Sequence, residues 1–180
     1  YTPGSFPSGG GLYDIVNIGS ANSGWAAQFN DHTTGSGKYM FIDGNNVVGV
    51  KVWQQNITVT PNTNYVFSAW VRNVSPAGSI TPVLNFDING TNIGGLITVP
   101  QDPDPKARQW NQIYATWNSG SNTNITISIE DNVPNAAFND FAIDDIYFSP
   151  EDCIYSDTIV ITQPLNPVLT QPQNQVLAHA

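Results

Sequence analysis

The stretch Asn139–Phe148 reads Asn-Asp-Phe-Ala-Ile-Asp-Asp-Ile-Tyr-Phe and has the alternation of a β-strand. Phe141 and Ile143 share one parity, whereas the two apolar residues after the aspartates have the opposite parity. Because successive side chains point to opposite faces of a strand, this shift predicts a β-bulge at Asp144 and Asp145. Two adjacent carboxylates on a mostly apolar strand are costly to bury unpaired. The stretch therefore also predicts a bound cation as their partner.

Segments before this stretch show the same two-residue period, and turn sequences separate them. Asn89-Gly90, for example, is typical of a tight β-hairpin. No segment has the 3.6-residue period of an amphipathic helix. The predicted strands cover residues 12–18, 38–43, 47–59, 65–74, 82–88, 93–99, 110–117, 124–130 and 138–148. The fold class predicted is all-β, an antiparallel two-sheet jelly-roll sandwich of about nine strands.

The domain organisation follows from length and composition. A chain of 180 residues can bury a proper core in one domain. From Ser149 onward the composition changes to a Pro-punctuated tail. We therefore predict a jelly-roll domain over residues 1–149, and a linker or the first strand of a following module over residues 150–180. This tail resembles the run-in to a repeat of immunoglobulin-like type. The loop-like start at Tyr1 indicates a piece of a longer protein, with further domains in the same polypeptide.

The net charge of -9, from 14 acidic and 5 basic residues, limits the partners. It argues against nucleic acid and against anionic membrane surfaces, because both need Lys and Arg. The sequence has no apolar run of 18 residues, so membrane insertion is not predicted. An acidic chain rich in Asn, Thr and Gly is typical of a secreted protein that binds neutral ligands or Ca²⁺. Cys153 is the only cysteine, and a free thiol and an external partner both stay open.

Catalysis is disfavoured by the residues available. The chain has two histidines, and His179 lies in the tail, so a Ser–His–Asp arrangement would depend on His32. Glu130 and Asp131 are adjacent at a strand end and point apart, unlike the paired carboxylates of a glycosidase. They are interpreted as part of a solvated turn. No enzyme is predicted.

The candidate metal ligands are Asp31, Asp144 and Asp145 together with backbone carbonyls of loops. Ca²⁺ takes six to eight oxygen ligands of these kinds. The alternative is that Asp31 caps a turn through its side chain, and that the other two aspartates accept hydrogen bonds from backbone amides.

Candidate carbohydrate ligands lie on the polar faces of strands that could lie side by side. Neutral sugars bind to aromatic faces and to amide or carboxylate hydrogen-bonding groups. The alternative is that the aromatic residues are structural, with Trp70 covering one end of a sheet. The candidates are Trp70, Arg72, Asn85, Asp87, Gln112 and Tyr114.

Two separated motifs carry a family resemblance. Two parts of the chain resemble the signature of MAM domains. The first is Trp25 followed by Asp-His-Thr-Thr-Gly-Ser-Gly-Lys-Tyr-Met at residues 31–40, and the second is Phe-Ala-Ile-Asp-Asp-Ile at residues 141–146. Three segments between them are similar to galactose-binding-like jelly rolls in large surface proteins of gram-negative bacteria that use type IX secretion. These segments are residues 52–55, 61–71 and 110–120.

The resemblance implies a two-sheet jelly roll with a bound cation, usually Ca²⁺. By position, its ligands would be Asp31, Asp144 and Asp145. Such domains normally begin with an Asn/Gly-Phe-Glu-like strand that supplies a further ligand, and no such strand is found after Tyr1.

The function expected is a non-catalytic adhesion or carbohydrate-binding module of a large, secreted cell-surface protein, stabilised by a structural cation. Its partner would be a glycan or cell-surface polysaccharide, and its location extracellular. Two alternatives stay open. The chain could be a ligand-free structural spacer, or an ancillary binding module of a multidomain glycoside hydrolase.

Overall fold

A computed structural model describes residues 2–3, 10–17, 29–75, 78–101, 104, 109–134 and 139–151. These residues form ten strands and two sheets. The strands are β1 Thr2–Pro3, β2 Leu12–Val16, β3 Tyr39–Asp43, β4 Val50–Thr58, β5 Asn64–Asn73, β6 Val83–Ile88, β7 Thr91–Thr98, β8 Asn111–Asn118, β9 Asn124–Asp131 and β10 Phe141–Pro150. The six-stranded sheet has the order β1-β2-β3-β10-β5-β8, and the four-stranded sheet has the order β4-β9-β6-β7.

The two sheets pack face to face, which confirms the all-β sandwich. Every described strand pair except β1–β2 is antiparallel. The inward residues of β5 that share the parity of Phe67 are buried, as alternation predicts. Phe67 contacts Phe86 of the other sheet with 4.2 Å between ring centroids. Both rings are completely buried, so they anchor the core between the sheets.

The first strand lies at the edge of the six-stranded sheet. Thr2–Pro3 forms a short strand parallel to β2. The pairing puts Thr2 opposite Leu12, and Thr2 N donates to Gly11 O at 3.1 Å. A proline is tolerated here because β1 is an edge strand.

The predicted bulge in β10 is confirmed. Asp144 pairs with Trp70 of β5, and Tyr147 pairs with Ser68. Two residues of β10 therefore lie opposite a single residue of β5. Asp145, one of the two residues between these pairs, takes a φ of 46°, which is in the left-handed region. The bulge explains why the hydrophobic parity changes after the aspartates.

A second, smaller apolar cluster covers one end of the outer face of the six-stranded sheet. Phe29 stacks on Tyr39 with 4.8 Å between ring centroids, and its edge contacts Trp110. Phe29 is buried in this cluster and so fixes its segment to the sheet. Residues 29–37 pass over this end of the sheet, so among the described residues the outer face of β5 is uncovered at its other end.

Several predictions fall on residues that the structure does not describe. They concern Trp25, Cys153, His179 and the tail beyond Glu151, and they stay predictions. Within the described ranges, no helix is both long and apolar enough to cross a membrane.

Candidate functional site

The turn at Asp31 is closed by the Asp31 carboxylate. It accepts hydrogen bonds from Thr34 N at 2.7 Å and from Gly37 N at 2.8 Å. Burial acts to raise the pKa of Asp31, but these amide donors prevail and lower it. A Cβ at Gly37 would meet the carboxylate at 2.8 Å, so glycine is needed for this close approach. Asp31 is therefore the turn-capping residue that the sequence allowed as an alternative.

The two aspartates of the bulge hold this turn against the sheet. Asp144 Oδ2 accepts a hydrogen bond from His32 N at 2.8 Å, and His32 Nδ1 lies 2.7 Å from Asp145 Oδ2. Thr33 Oγ1 donates to Asp145 Oδ2 at 2.6 Å. Burial raises the pKa of Asp144, with the neighbouring carboxylates of Asp145 and Asp31 adding to the rise. The three predicted metal ligands thus lie in one region of the fold, which we call the clasp.

Every carboxylate oxygen of the three clasp aspartates accepts a hydrogen bond from within the chain. Both oxygens of Asp31 and of Asp145 accept hydrogen bonds within the chain, and so do both oxygens of Asp144. Among the residues described, no three His, Cys, Asp or Glu side chains are grouped so as to hold a metal ion. A carboxylate offers about four lone-pair sites, so these hydrogen bonds leave the ligand set that the resemblance implies untested. Ca²⁺ binding stays a prediction.

Replacement of Asp144 with alanine tests the clasp. We expect Asp144→Ala to lower the free energy of unfolding by about 1–2 kcal/mol, because His32 N and Asp145 N lose their acceptor. Thermal unfolding with and without EDTA tests the cation at the same time. A bound Ca²⁺ predicts a midpoint that chelation lowers in the wild type but not in the variant. Equal wild-type midpoints in the two buffers would contradict Ca²⁺ binding.

Trp70 and Arg72, two of the six candidate sugar ligands, contact the segment of residues 29–37. The indole of Trp70 is stacked by the His32 ring with 3.7 Å between centroids. The Arg72 guanidinium is buried and lies 4.2 Å from the centroid of Phe29. Both side chains dock residues 29–37 onto the six-stranded sheet, so they position the covering segment.

Gln112 and Tyr114 line a groove on the open end of the same face. The cavity there has a volume of about 390 Å³. Tyr114 is 67% exposed and Tyr147 is 46% exposed, and the register places Ser68 between them in one row across three strands. Two strand spacings put the tyrosine backbones roughly 10 Å apart. The cavity is lined by Val66, Ser68, Gln112, Tyr114, Thr116, Tyr147 and Glu151, and we call it the tyrosine groove.

The expectation that all six candidates lie on neighbouring strands is wrong for Asn85 and Asp87. These two residues belong to β6, which lies in the four-stranded sheet. Their side chains face away from the core on the opposite side of the sandwich, and both are buried. Asp87 Oδ1 accepts from Gly90 N at 2.8 Å and so supports the hairpin turn. Asn85 Nδ2 lies 3.4 Å from Glu130 Oε2.

A second cavity of about 430 Å³ lies on the outer face of the four-stranded sheet, and its lining has no aromatic side chain. Its amide oxygens already accept hydrogen bonds. Thr126 Oγ1 donates to Asn56 Oδ1 at 2.7 Å, and Thr58 Oγ1 donates to Asn124 Oδ1 at 3.2 Å. This cavity is polar, but its polar groups form hydrogen bonds with one another.

A buried polar cluster that was not predicted from the sequence lies where β3 and β9 end and β10 begins. Asp43, Asp131 and Asp140 meet there, each with less than a tenth of its surface exposed. The interpretation of Asp131 as part of a solvated turn is wrong, because it is the last residue of β9 and is fully buried. Three strand ends converge on this point, and local patterns carry no signal of that convergence.

Burial, with a smaller effect from the carboxylates of Asp43 and Asp131, raises the pKa of Asp140 to about 7 against the hydrogen bond from Gly44 N. The neutral carboxyl is therefore favoured in the folded state. An unfolded aspartate titrates near about 3.9, so this stabilising effect is complete below about pH 4 and is lost as the pH rises to about 7.

We expect the free energy of unfolding to fall over this pH range by an amount on the order of a few kcal/mol. In Asp140→Asn the decline should be much smaller, because the amide is neutral at every pH. Urea unfolding at several pH values between 4 and 8 measures both slopes. Asp14→Asn, in a half-exposed position of β2, is the matched control and should keep the wild-type slope. Identical slopes for Asp140→Asn and wild type would contradict a raised pKa.

Comparison with known proteins gives no family for the chain. No family model matches the sequence. No curated protein matches it either. Solved structures with similar topology include the sugar-binding C-terminal domain of EclA, at 14% identity and a TM-score of 0.49 over 58% of this chain and 70% of that chain. They also include the xylan-binding CBM22-1 domain of Paenibacillus barcinonensis Xyn10C, at 15% identity and a TM-score of 0.45 over 73% of this chain and 84% of that chain.

A third such structure is CBM35 from Cellvibrio japonicus Abf62, at 18% identity and a TM-score of 0.38 over 76% of this chain and 96% of that chain. These structures are carbohydrate- or sugar-binding modules, and membership of the MAM or type IX group stays a prediction. The likenesses are too distant to place a ligand on this chain, so the site stands on its own residues.

Proposed function

We propose that this chain is a non-catalytic carbohydrate-binding module that holds a neutral glycan in the tyrosine groove. The observation that carries the proposal is the row of Tyr114, Ser68 and Tyr147, in which two exposed aromatic rings flank a small side chain. Aromatic side chains this exposed are the kind of surface that a ligand covers, because they offer an apolar body and a hydroxyl together.

The chemistry of the groove suits a sugar. Tyrosine faces contact the apolar C–H surface of a sugar ring, and convergent polar groups fix its orientation. Gln112 supplies an amide and Glu151 a carboxylate at the edges of the cavity. The net charge of -9 disfavours an anionic polysaccharide, so the proposal is a neutral one.

The larger cavity on the four-stranded sheet is the weaker candidate. Its lining lacks an aromatic ring, and amides such as those of Asn56 and Asn124 already have hydrogen-bond partners. A sugar bound there would have to displace those bonds without gaining an apolar platform. We therefore place the ligand on the six-stranded sheet.

The wider setting is also proposed. A glycan-binding sandwich of this kind fits an adhesion module of a large, secreted cell-surface protein in the extracellular space. The ancillary module of a multidomain glycoside hydrolase remains the alternative setting, and a structural spacer remains the alternative role. The sequence of the full-length protein decides between the two settings.

Affinity electrophoresis tests binding directly. The protein is run in gels that contain xylan, mannan, galactan or β-glucan, with a non-binding protein as the mobility standard. We expect retardation by at least one of these neutral polysaccharides. Unchanged mobility in every gel, together with no signal on a broad glycan array, would leave the spacer role as the better account.

A further inference from the structure

The direction of the tyrosine groove is set by β5. Its floor is formed by Val66 and Ser68, which share the outward face of that strand. One wall comes from β8 through Tyr114 and Thr116, and the other comes from β10 through Tyr147. A ligand in the groove would therefore lie along β5, between two walls that run parallel to it.

One end of this groove is closed. The next outward residue of β5 after Ser68 is Trp70, which is covered by the His32 ring at 3.7 Å. His32 belongs to the turn that the clasp fixes to the sheet, through His32 N and Asp144 Oδ2 at 2.8 Å. Beyond it the face is covered by the apolar cluster around Phe29. The closed end is therefore a wall held by several independent contacts.

The other end is open within the part of the chain that the structure describes. Val66 pairs with Thr116 and with Ser149, and these side chains are small and partly or fully exposed. The free floor from Val66 to Ser68 is only about 7 Å long, since a strand rises about 3.4 Å per residue. The cavity of about 390 Å³ is also near the lower end of the roughly 300–1,000 Å³ that small-ligand sites occupy.

We infer that the tyrosine groove receives the terminal sugar of a glycan chain, with the rest of the chain leaving past Val66. This inference rests on the proposed function and names the part of the glycan that is bound. A chain interior would have to continue through the wall formed by Trp70 and His32. A terminal ring can enter from the open end, lie between the tyrosines and stop at that wall.

Titration calorimetry with oligosaccharides of increasing length is the test. The ligands are the disaccharides to hexasaccharides of xylan, mannan, galactan and β-glucan, each of which carries a chain end. We expect Kd per molecule to change by less than about threefold over the series, because only the end is held. Tightening of at least about tenfold from disaccharide to hexasaccharide would overturn the inference.

A second measurement uses the same polysaccharide after partial digestion by an endo-acting hydrolase. Digestion multiplies chain ends at constant sugar mass, so end recognition predicts a rise in binding capacity in proportion to the ends. A fall in capacity would overturn end recognition.

The two proposals can fail separately. If Tyr114→Ala and Tyr147→Ala weaken binding but the affinity rises with chain length, end recognition is contradicted. The glycan-binding function is then kept. The absence of binding to every one of these polysaccharides and to every one of their oligosaccharides removes both.

Discussion

Replacement of Asp131 with alanine is expected to lower the free energy of unfolding by about 3–5 kcal/mol. The carboxylate is fully buried and accepts hydrogen bonds from Asn45 N and Val133 N, each at 3.1 Å. It also accepts both 2.9 Å bonds from Asn139 Nδ2. Alanine leaves all three donors without this acceptor, and two of them, on Val133 and Asn139, are buried. Since a domain is typically stable by about 5–15 kcal/mol, the loss is a large fraction of the total.

Urea unfolding at pH 7 measures this effect. Asp131→Asn keeps one acceptor oxygen and is expected to lose about half as much. Asp14→Ala is the matched control, because Asp14 is only half buried and bonds to the amide of the next residue. A change within about 0.5 kcal/mol for Asp131→Ala would show that the buried cluster is not a structural centre.

Replacement of the groove tyrosines is expected to remove glycan binding without unfolding the protein. Tyr114→Ala and Tyr147→Ala should each weaken binding by at least about tenfold, because each removes one aromatic wall. The double variant should show no retardation in the affinity gel. Both side chains are largely exposed, so the free energy of unfolding should change by less than about 0.5 kcal/mol.

The controls separate the aromatic wall from exposed apolar surface in general. Leu96→Ala removes a side chain that is 65% exposed on β7, in the other sheet, and should bind as the wild type does. Tyr147→Phe keeps the ring and should stay within about threefold of the wild type if stacking dominates. Wild-type binding by the double alanine variant would place the ligand elsewhere.

The sequence predicted the strands and the bulge because both are local properties. Alternation around Phe67 identifies a buried face within one strand, and the change of parity at Asp144 identifies an extra residue within one strand. Neither inference needs a distant partner. The same parity also places Tyr147 on the outward face, opposite to Phe148. The sequence pattern therefore contains a signal for the second wall of the groove.

The sequence could not predict which outward faces share a sheet. Asn85 and Gln112 have equivalent local patterns, yet their strands lie in different sheets because sheet membership depends on long-range pairing. The cluster of Asp43, Asp131 and Asp140 was missed for the same reason, since its members come from three strand ends far apart in sequence. Trp70 seemed available for a ligand because nothing local shows that His32 covers it.

The most direct test of the account is the location of a bound sugar by amide chemical-shift mapping. The labelled protein is titrated with a disaccharide of the polysaccharide that retards it. The account predicts that the largest shifts fall on residues 66–68, 112–116 and 147–151, around the two tyrosines. Largest shifts at residues 56–58 and 124–126, on the four-stranded sheet, or no shifts at saturating sugar, would contradict it.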